Sequence, residues 1–431
     1  MFKKSTLLTL VLMLMLTLAL AACGGKEETK EPAPETPAAE TPATEEEPAT
    51  DEPAKPDSLT MWVNDEEMQL QAYKDIAAKY EEERGITVNI TPFSMLDQVD
   101  ALSLDGPAGL GPDLFFHPHD RMGSIFLQGL AAELEVTEEQ LAGYPEGAVQ
   151  ALSFEGTQYG IPAVIETYGL FYNTDLIPEA PETMDDLLAI AKELTDASKD
   201  EYGFLMEATN FYFTYPFLAG PGGYVFGRDA EGGYDIEDIG LGNAGAVQGG
   251  ELIQSWFTDG LIPQGISGDV MNGLFRDGKV GAVVTGPWSI PDYVADLGDK
   301  LKVTTLPKID GKNLSSFSGV KGWFVSEYSD HKYWATDLAL FITNATNGEH
   351  YFNVAGEIPA RTDVTIDDEL RNGILAQAEF AEPMPNVAEM SQVWTPMGDA
   401  LQFISAGENV AEVLEEAVEQ IKEQIALTAG N

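Results

Sequence analysis

The chain has 431 residues, with 72 acidic side chains against 23 basic ones and a formal charge of −49. That balance argues against nucleic acid or an anionic lipid surface as a partner, because both are polyanions that demand Lys and Arg. Cys23 is the only cysteine, so no internal disulfide is available and stability rests on a packed core, in about two or three domains by length.

The first 23 residues, MFKKSTLLTLVLMLMLTLALAAC, place Lys3 and Lys4 ahead of a leucine-rich run, the layout of an export signal. Its end, Leu20-Ala21-Ala22-Cys23, resembles the lipidation box of a bacterial lipoprotein, with Cys23 as the lipid attachment point and mature N-terminus. A retained membrane helix and an ordinary secretory signal remain open, since the apolar run approaches the ~18 residues that span a bilayer. No later segment is long and apolar enough to do so. Residues 24–57 are acidic and Pro-rich, without one aromatic or branched aliphatic side chain, and so cannot bury enough surface to offset their ordering entropy. Polyproline geometry would give this tether a reach of up to roughly 100 Å.

From Leu59 the pattern changes. LTMWVN alternates Leu59, Met61 and Val63 inward, and the next stretch places Leu70, Tyr73, Ile76, Ala77 and Tyr80 on one helical face before Gly85 stops it. ITVNI then alternates again. Strand, helix, strand is a βαβ unit, which predicts parallel pairing and an α/β body. Further strands are expected in GPDLFFH, GLFYN, GKVGAVVTG and GVKGWFVS, and helices in KYWATDLALFITN and GENVAEVLEEAVEQIKEQI. The last puts Val410, Val413, Leu414, Val418, Ile421 and Ile425 on one face. Periodicity alone does not choose between one wide sheet and two α/β lobes.

The stretch FFHPHDRM, residues 115–122, brings His117, His119 and Asp120 together, with both rings on the same side of an extended segment. Zinc would need a third or fourth ligand, while His331 and His350 lie far along the chain and Arg121 would repel the cation, so no metal is expected. Gly265-Ile266-Ser267-Gly268 lacks the spacing of a nucleophile elbow, and no phosphate-binding glycine loop or calcium loop is present. Paired carboxylates suited to glycoside hydrolysis are too easily nominated among 72 acids to carry weight. Aromatic residues at expected strand ends and loops stand out instead: Trp62, the Tyr212-Phe213-Thr214-Tyr215-Pro216 loop, Trp288 and Trp394. Each is a core candidate too, but rings beside isolated charges are what a sugar requires, a stacking face for C–H groups and directional partners for hydroxyls.

Eight runs in order, LTMWVN, KYEEERGITV, GPDLFFHPHDRMG, GIPAVIETYGLFYNTDLIP, NFYFTYPFLAGPGGYVF, YDIEDIGLGNAGA, GAVVTGPWSI and MPNVAEMSQVW, resemble the maltose-binding proteins of bacterial ABC importers. The resemblance covers the whole folded body. It implies the type II, two-lobed periplasmic-binding-protein fold, with lobe 1 in 58–164 plus 307–363, lobe 2 in 169–302 plus 368–431, and a ligand cleft between lobes joined by hinge crossovers. It implies sugar contacts at Glu66, Asp120, Arg121, Glu166, Tyr212, Trp288, Met384 and Trp394, and at His117, where the family often carries Trp. Glu67 stands in place of a frequent Lys, and Thr395 and Gly398 in place of Tyr and Arg, which leaves preferred sugar and chain length open. The resemblance further implies a lipid-anchored, monomeric binder of maltodextrin, without cofactor or catalysis, that closes on sugar and delivers it to permease subunits. Another oligosaccharide such as a galacto-oligosaccharide, a surface glycosidase using Asp120 or Glu166, and an adhesin or sensor are the alternatives.

Overall fold

Along the first strand, β1 (Ser58–Val63), Leu59, Met61 and Val63 turn inward as the alternation predicts, yet Trp62 on the opposite face is 7 % exposed and buried as well. Both faces of this sheet are covered, which is why the strand after next, β3 (Leu114–Pro118), is buried at every position. The computed structural model describes residues 52–154, 156–228 and 233–429. The export signal with Cys23, and the tether up to residue 51, lie outside the described residues.

The predicted βαβ unit is present. β1 and β2 (Thr87–Pro92) pair in parallel from Ser58↔Thr87 to Val63↔Pro92, joined by the helix Glu67–Arg84. That helix buries Tyr73, Ile76, Ala77 and Tyr80, and Gly85 ends it in the left-handed region at φ 69°, with its N–H on Glu81 O. The remaining main strands are β4 (Gly160–Glu166), β5 (Gly169–Asn173), β6 (Tyr202–Leu205), β7 (Val280–Thr285), β8 (Leu301–Thr304), β9 (Phe317–Val325), β10 (Ile358–Pro359) and β11 (Glu382–Pro383). They form a seven-stranded sheet in the order β10-β4-β9-β3-β1-β2, with β11 on the end of β9, and a four-stranded sheet in the order β8-β5-β7-β6. The expectation of parallel pairing holds only in part. β9, which returns late in the sequence to the centre of the first sheet, runs antiparallel to β3 and β4, and in the second sheet β7 runs antiparallel to β5.

Each sheet has its own core. Met61, Phe116, Ile161 and Trp323 pack on one face of the first sheet, and Phe115, Ile125 and Phe324 on the other. Leu170, Phe204, Trp256 and Val283 anchor a separate core around the second. β9 belongs to both, with Phe317 in the second core and Trp323 in the first. Only Thr167 and Tyr168 separate β4 from β5, and this crossover is buried. Thr167 Oγ1 donates to Phe317 O at 2.8 Å and lies 2.7 Å from Ser316 Oγ.

Candidate functional site

The Tyr212-to-Pro216 segment is not the loop expected from its aromatic density but the helix Phe211–Ala219, capped by Asn210 accepting from Tyr212 N–H at 3.0 Å. Pro216 inside it has no N–H for the carbonyl four residues back. That carbonyl, Tyr212 O, accepts instead from the hydroxyl of Tyr168 at 2.5 Å, so the helix break is satisfied by the crossover and the Tyr212 ring is held beside it.

After β3 the chain turns through a short 3₁₀ segment, His119–Arg121. His119 Nδ1 accepts from Val320 N–H at 3.1 Å, so its Nε2 carries the proton and donates to Met384 O at 3.0 Å. This histidine bolts the turn to β9 and to the Met384 segment. Nearby, Gly123 lies so close to Ala388 that a Cβ there would meet Ala388 N at 2.2 Å, and this approach brings Trp394 to the turn. Trp394 Nε1 donates to Asp120 Oδ2 at 3.0 Å, joining the two sheet systems across a cleft. Burial, opposed by the Arg121 charge and the Trp394 bond, raises the Asp120 carboxyl to about 6.

One cavity of about 410 Å³ is lined by all nine residues singled out in the sequence: Glu66, His117, Asp120, Arg121, Glu166, Tyr212, Trp288, Met384 and Trp394. Trp62 does not reach it; it stacks on Phe93 at 4.7 Å within the core. His117 is 1 % exposed, and burial pushes it down to about 4, so it is neutral at pH 7. Its Nδ1 lies 3.1 Å from Pro118 O, which can only accept; the proton therefore sits on Nδ1. Nε2 is buried without a hydrogen-bond partner.

Sequence reasoning missed Lys321, although a lone charge in GVKGWFVS was the available signal. Lys321 sits in β9 and lines the cavity, its ammonium 2.5 Å from both Glu166 Oε2 and Glu357 Oε1 and 5.2 Å from the Trp288 ring centre. The ammonium thus bridges two buried carboxylates. Glu357 also accepts from the Tyr351 hydroxyl. Asn64, Gln69 and Asn210 are further polar wall residues without a local sequence signal.

Six buried side-chain polar atoms among the described residues have no aligned hydrogen-bond partner; Glu166 Oε2 is one of them but meets the Lys321 ammonium, whereas His117 Nε2 and Tyr212 Oη, on two residues of this cavity's wall, meet no such charge. Such atoms are costly unless something binds there. Among the described residues no group of three or more His, Cys, Asp or Glu is placed to hold a metal ion; His350 Nε2 pairs with Asp75 at 3.2 Å. No described helix is long and apolar enough to cross a membrane.

Residues 75–378 match the family model described as bacterial extracellular solute-binding protein. The chain belongs to that family. Its members are binding proteins rather than enzymes. A galactooligosaccharide-binding protein of Bacillus subtilis (strain 168) is 34 % identical over 422 residues, covering 95 % of this chain and 94 % of its own. A maltodextrin-binding protein of the same organism is 34 % identical over 379 residues, covering 84 % and 89 %. Among solved structures, a Thermus thermophilus maltotriose-binding protein bound with maltotriose superposes with a TM-score of 0.81, at 28 % identity over 85 % of this chain and all of that one. The solute-binding fold is thus the two-lobed α/β fold, with the cavity between the two sheet systems.

Proposed function

We infer that the protein captures α-glucan oligosaccharides, of the maltose and maltodextrin class, and hands them to the permease subunits of an ABC importer. The observation that carries this is the facing of unlike walls across the cleft. Tyr212, Trp288 and Trp394 supply rings from one side, and Asp120, Arg121, Glu166 and His117 supply polar groups from the other. A pyranose needs both at once, apolar stacking for its faces and directed acceptors and donors for its hydroxyls. The maltodextrin-binding relative and the maltotriose complex support the choice of sugar.

The proposed lobes are 58–164 plus 307–363 and 169–302 plus 368–431, meeting at the crossovers beside Glu166. Sugar touches both lobes only when they close, and this differential affinity draws the population toward the closed form. A micromolar dissociation constant is about −8 kcal/mol, which a few stacked rings and charge-assisted hydrogen bonds can supply. Lipid on Cys23 would hold the monomeric protein at the membrane that carries its permease. The family relative that binds galactooligosaccharide spans more of this chain than the maltodextrin binder does, and it favours that sugar as the second reading.

Calorimetric titration of the mature protein decides between them. Heat with maltotriose and none with galacto-oligosaccharide is expected; the reverse selects the second reading, and sugar recovered cleaved after long incubation removes both.

A further inference from the structure

Glu166 ends β4, and the residue directly opposite it in β9 is Gly319. A Cβ at Gly319 would stand 3.0 Å from Glu166 Cγ and Oε1, so the missing side chain is the room in which the carboxylate lies. Side chains two apart in a strand share a face, and diagonal cross-strand neighbours are within reach of a long side chain. Lys321, two residues on from Gly319, is that diagonal neighbour, and its ammonium fills the corner between Glu166 and Glu357. Gly319-Val320-Lys321 thus sets a held donor beside a held acceptor on the cleft wall.

An ammonium carries three N–H groups. Glu166 and Glu357 engage two of them, and no other described group accepts from Lys321. Glu357 stands behind, fully buried and off the cavity wall, whereas Lys321 and Glu166 both line the cavity, with the Trp288 ring centre 5.2 Å from the ammonium. The third N–H is therefore the one open to a ligand. Lys321 is in turn the one donor that meets Glu166 among the described residues, and it does so at Oε2, which leaves Oε1 to accept from a ligand. A sugar hydroxyl both donates and accepts, and two neighbouring hydroxyls that are gauche on a pyranose lie about a hydrogen-bond length apart. Such a pair meets both groups at once, one hydroxyl donating to the carboxylate and its neighbour accepting from the ammonium. Both bonds are charge-assisted, and side chains fixed before binding lose little freedom when the ligand arrives.

We propose that Lys321 is a sugar-contacting, specificity-determining residue, and that with Glu166 it reads two adjacent hydroxyls of the unit that stacks on Trp288. The proposal rests on the sugar-binding reading above and adds the chemistry recognised, a gauche vicinal diol rather than an isolated hydroxyl.

The test is calorimetry of the full mature chain with methyl maltoside and analogues that each lack one hydroxyl, and with the matching methyl galactobiosides in parallel. In the wild type, loss of either of two adjacent hydroxyls should weaken binding about tenfold or more, as a charge-assisted hydrogen bond gives. Lys321→Met is read in a Glu357→Gln background, which avoids leaving two buried carboxylates together. There, one of those two deoxy sugars should bind within about twofold of its parent while the other keeps its penalty. In Glu166→Ala the pattern should reverse, with the neighbouring hydroxyl the one that no longer matters. Thermal unfolding without sugar checks each variant. Should the double variant not fold, Lys321→Arg keeps the charge between the carboxylates but not the point geometry of an ammonium, and it must change the penalty of that same hydroxyl. Variants that weaken every analogue alike, or a Lys321 variant that cancels the same hydroxyl as Glu166→Ala, overturn the proposal: the lysine then only supports the fold or positions Glu166, and the sugar reading stands. Absence of heat with every sugar of both series sinks the sugar reading instead, and this proposal with it.

Discussion

Replacing Lys321 with Met keeps the volume and unbranched stem of the side chain but removes its ammonium. Lys321, Glu166 and Glu357 are at most 6 % exposed, and the ammonium stands 2.5 Å from a carboxylate oxygen of each glutamate. Without it two buried carboxylates are left together, and one must hold a proton for the chain to fold. At pH 7, against an ordinary glutamate value of about 4.3, that proton costs about 1.36 kcal/mol for each of ~2.7 pH units, or close to 3.7 kcal/mol. This falls within the roughly 3–5 kcal/mol for breaking a buried ion pair. The sign follows from linkage. A carboxyl whose folded value lies above its unfolded one contributes stability that is full below about pH 4.3 and lost as pH rises. Urea unfolding without sugar should therefore show Lys321→Met about 3–4 kcal/mol less stable than wild type at pH 7, shrinking to under about 1 kcal/mol near pH 4.5. Adding Glu357→Gln removes one of the two carboxylates and should recover at least about half of the loss at pH 7. A loss equal at both pH values, or below about 1 kcal/mol at pH 7, refutes the reasoning.

Asp120, raised by burial to about 6 against about 3.9 in an unfolded chain, gives stability that is full below about pH 3.9 and is lost as pH rises through 6. Asp120→Asn, which still accepts from Trp394, should gain about 2–3 kcal/mol of sugar-free stability at pH 7 and none at pH 4, while sugar affinity falls about tenfold; denaturation without a pH-dependent gain contradicts this. Wild-type sugar affinity should also rise between pH 5 and pH 7, as the ionised carboxylate becomes available to hydroxyls; a flat calorimetric profile would remove Asp120 as an acceptor. Tyr212→Phe deletes a buried hydroxyl that has no partner. Sugar-free stability should hold or rise by about 1 kcal/mol while affinity drops about fivefold, and a variant that unfolds more easily would show that the hydroxyl serves the fold instead.

Much of the fold was legible because the signals were local. Alternation in LTMWVN and the 3.6-residue spacing up to Tyr80 gave β1 and its helix, and Val410, Leu414, Val418, Ile421 and Ile425 are buried along the last helix as their spacing predicts. The aromatic run at 212–216 misled, since Pro216 argues against a helix interior; what permits the helix is the Tyr168 hydroxyl, which the tertiary fold brings to the freed carbonyl. Trp62 misled in the opposite sense, because a ring at the end of a strand becomes core when both faces of the sheet are covered.

By itself the sequence determined the alternation of elements, the acidic surface charge, and, through eight colinear runs, the nine positions that line one cavity. Tertiary structure decided what those positions can do. The tautomer of His117 follows from Pro118 O, and the raised Asp120 carboxyl from its burial beneath Trp394. The role of Lys321 depends on carboxylates carried by β4 and by the residue before β10. Periodicity records what a residue faces within its own element; protonation state and charge pairing depend on groups brought together from distant parts of the chain, and these only the packed fold supplies.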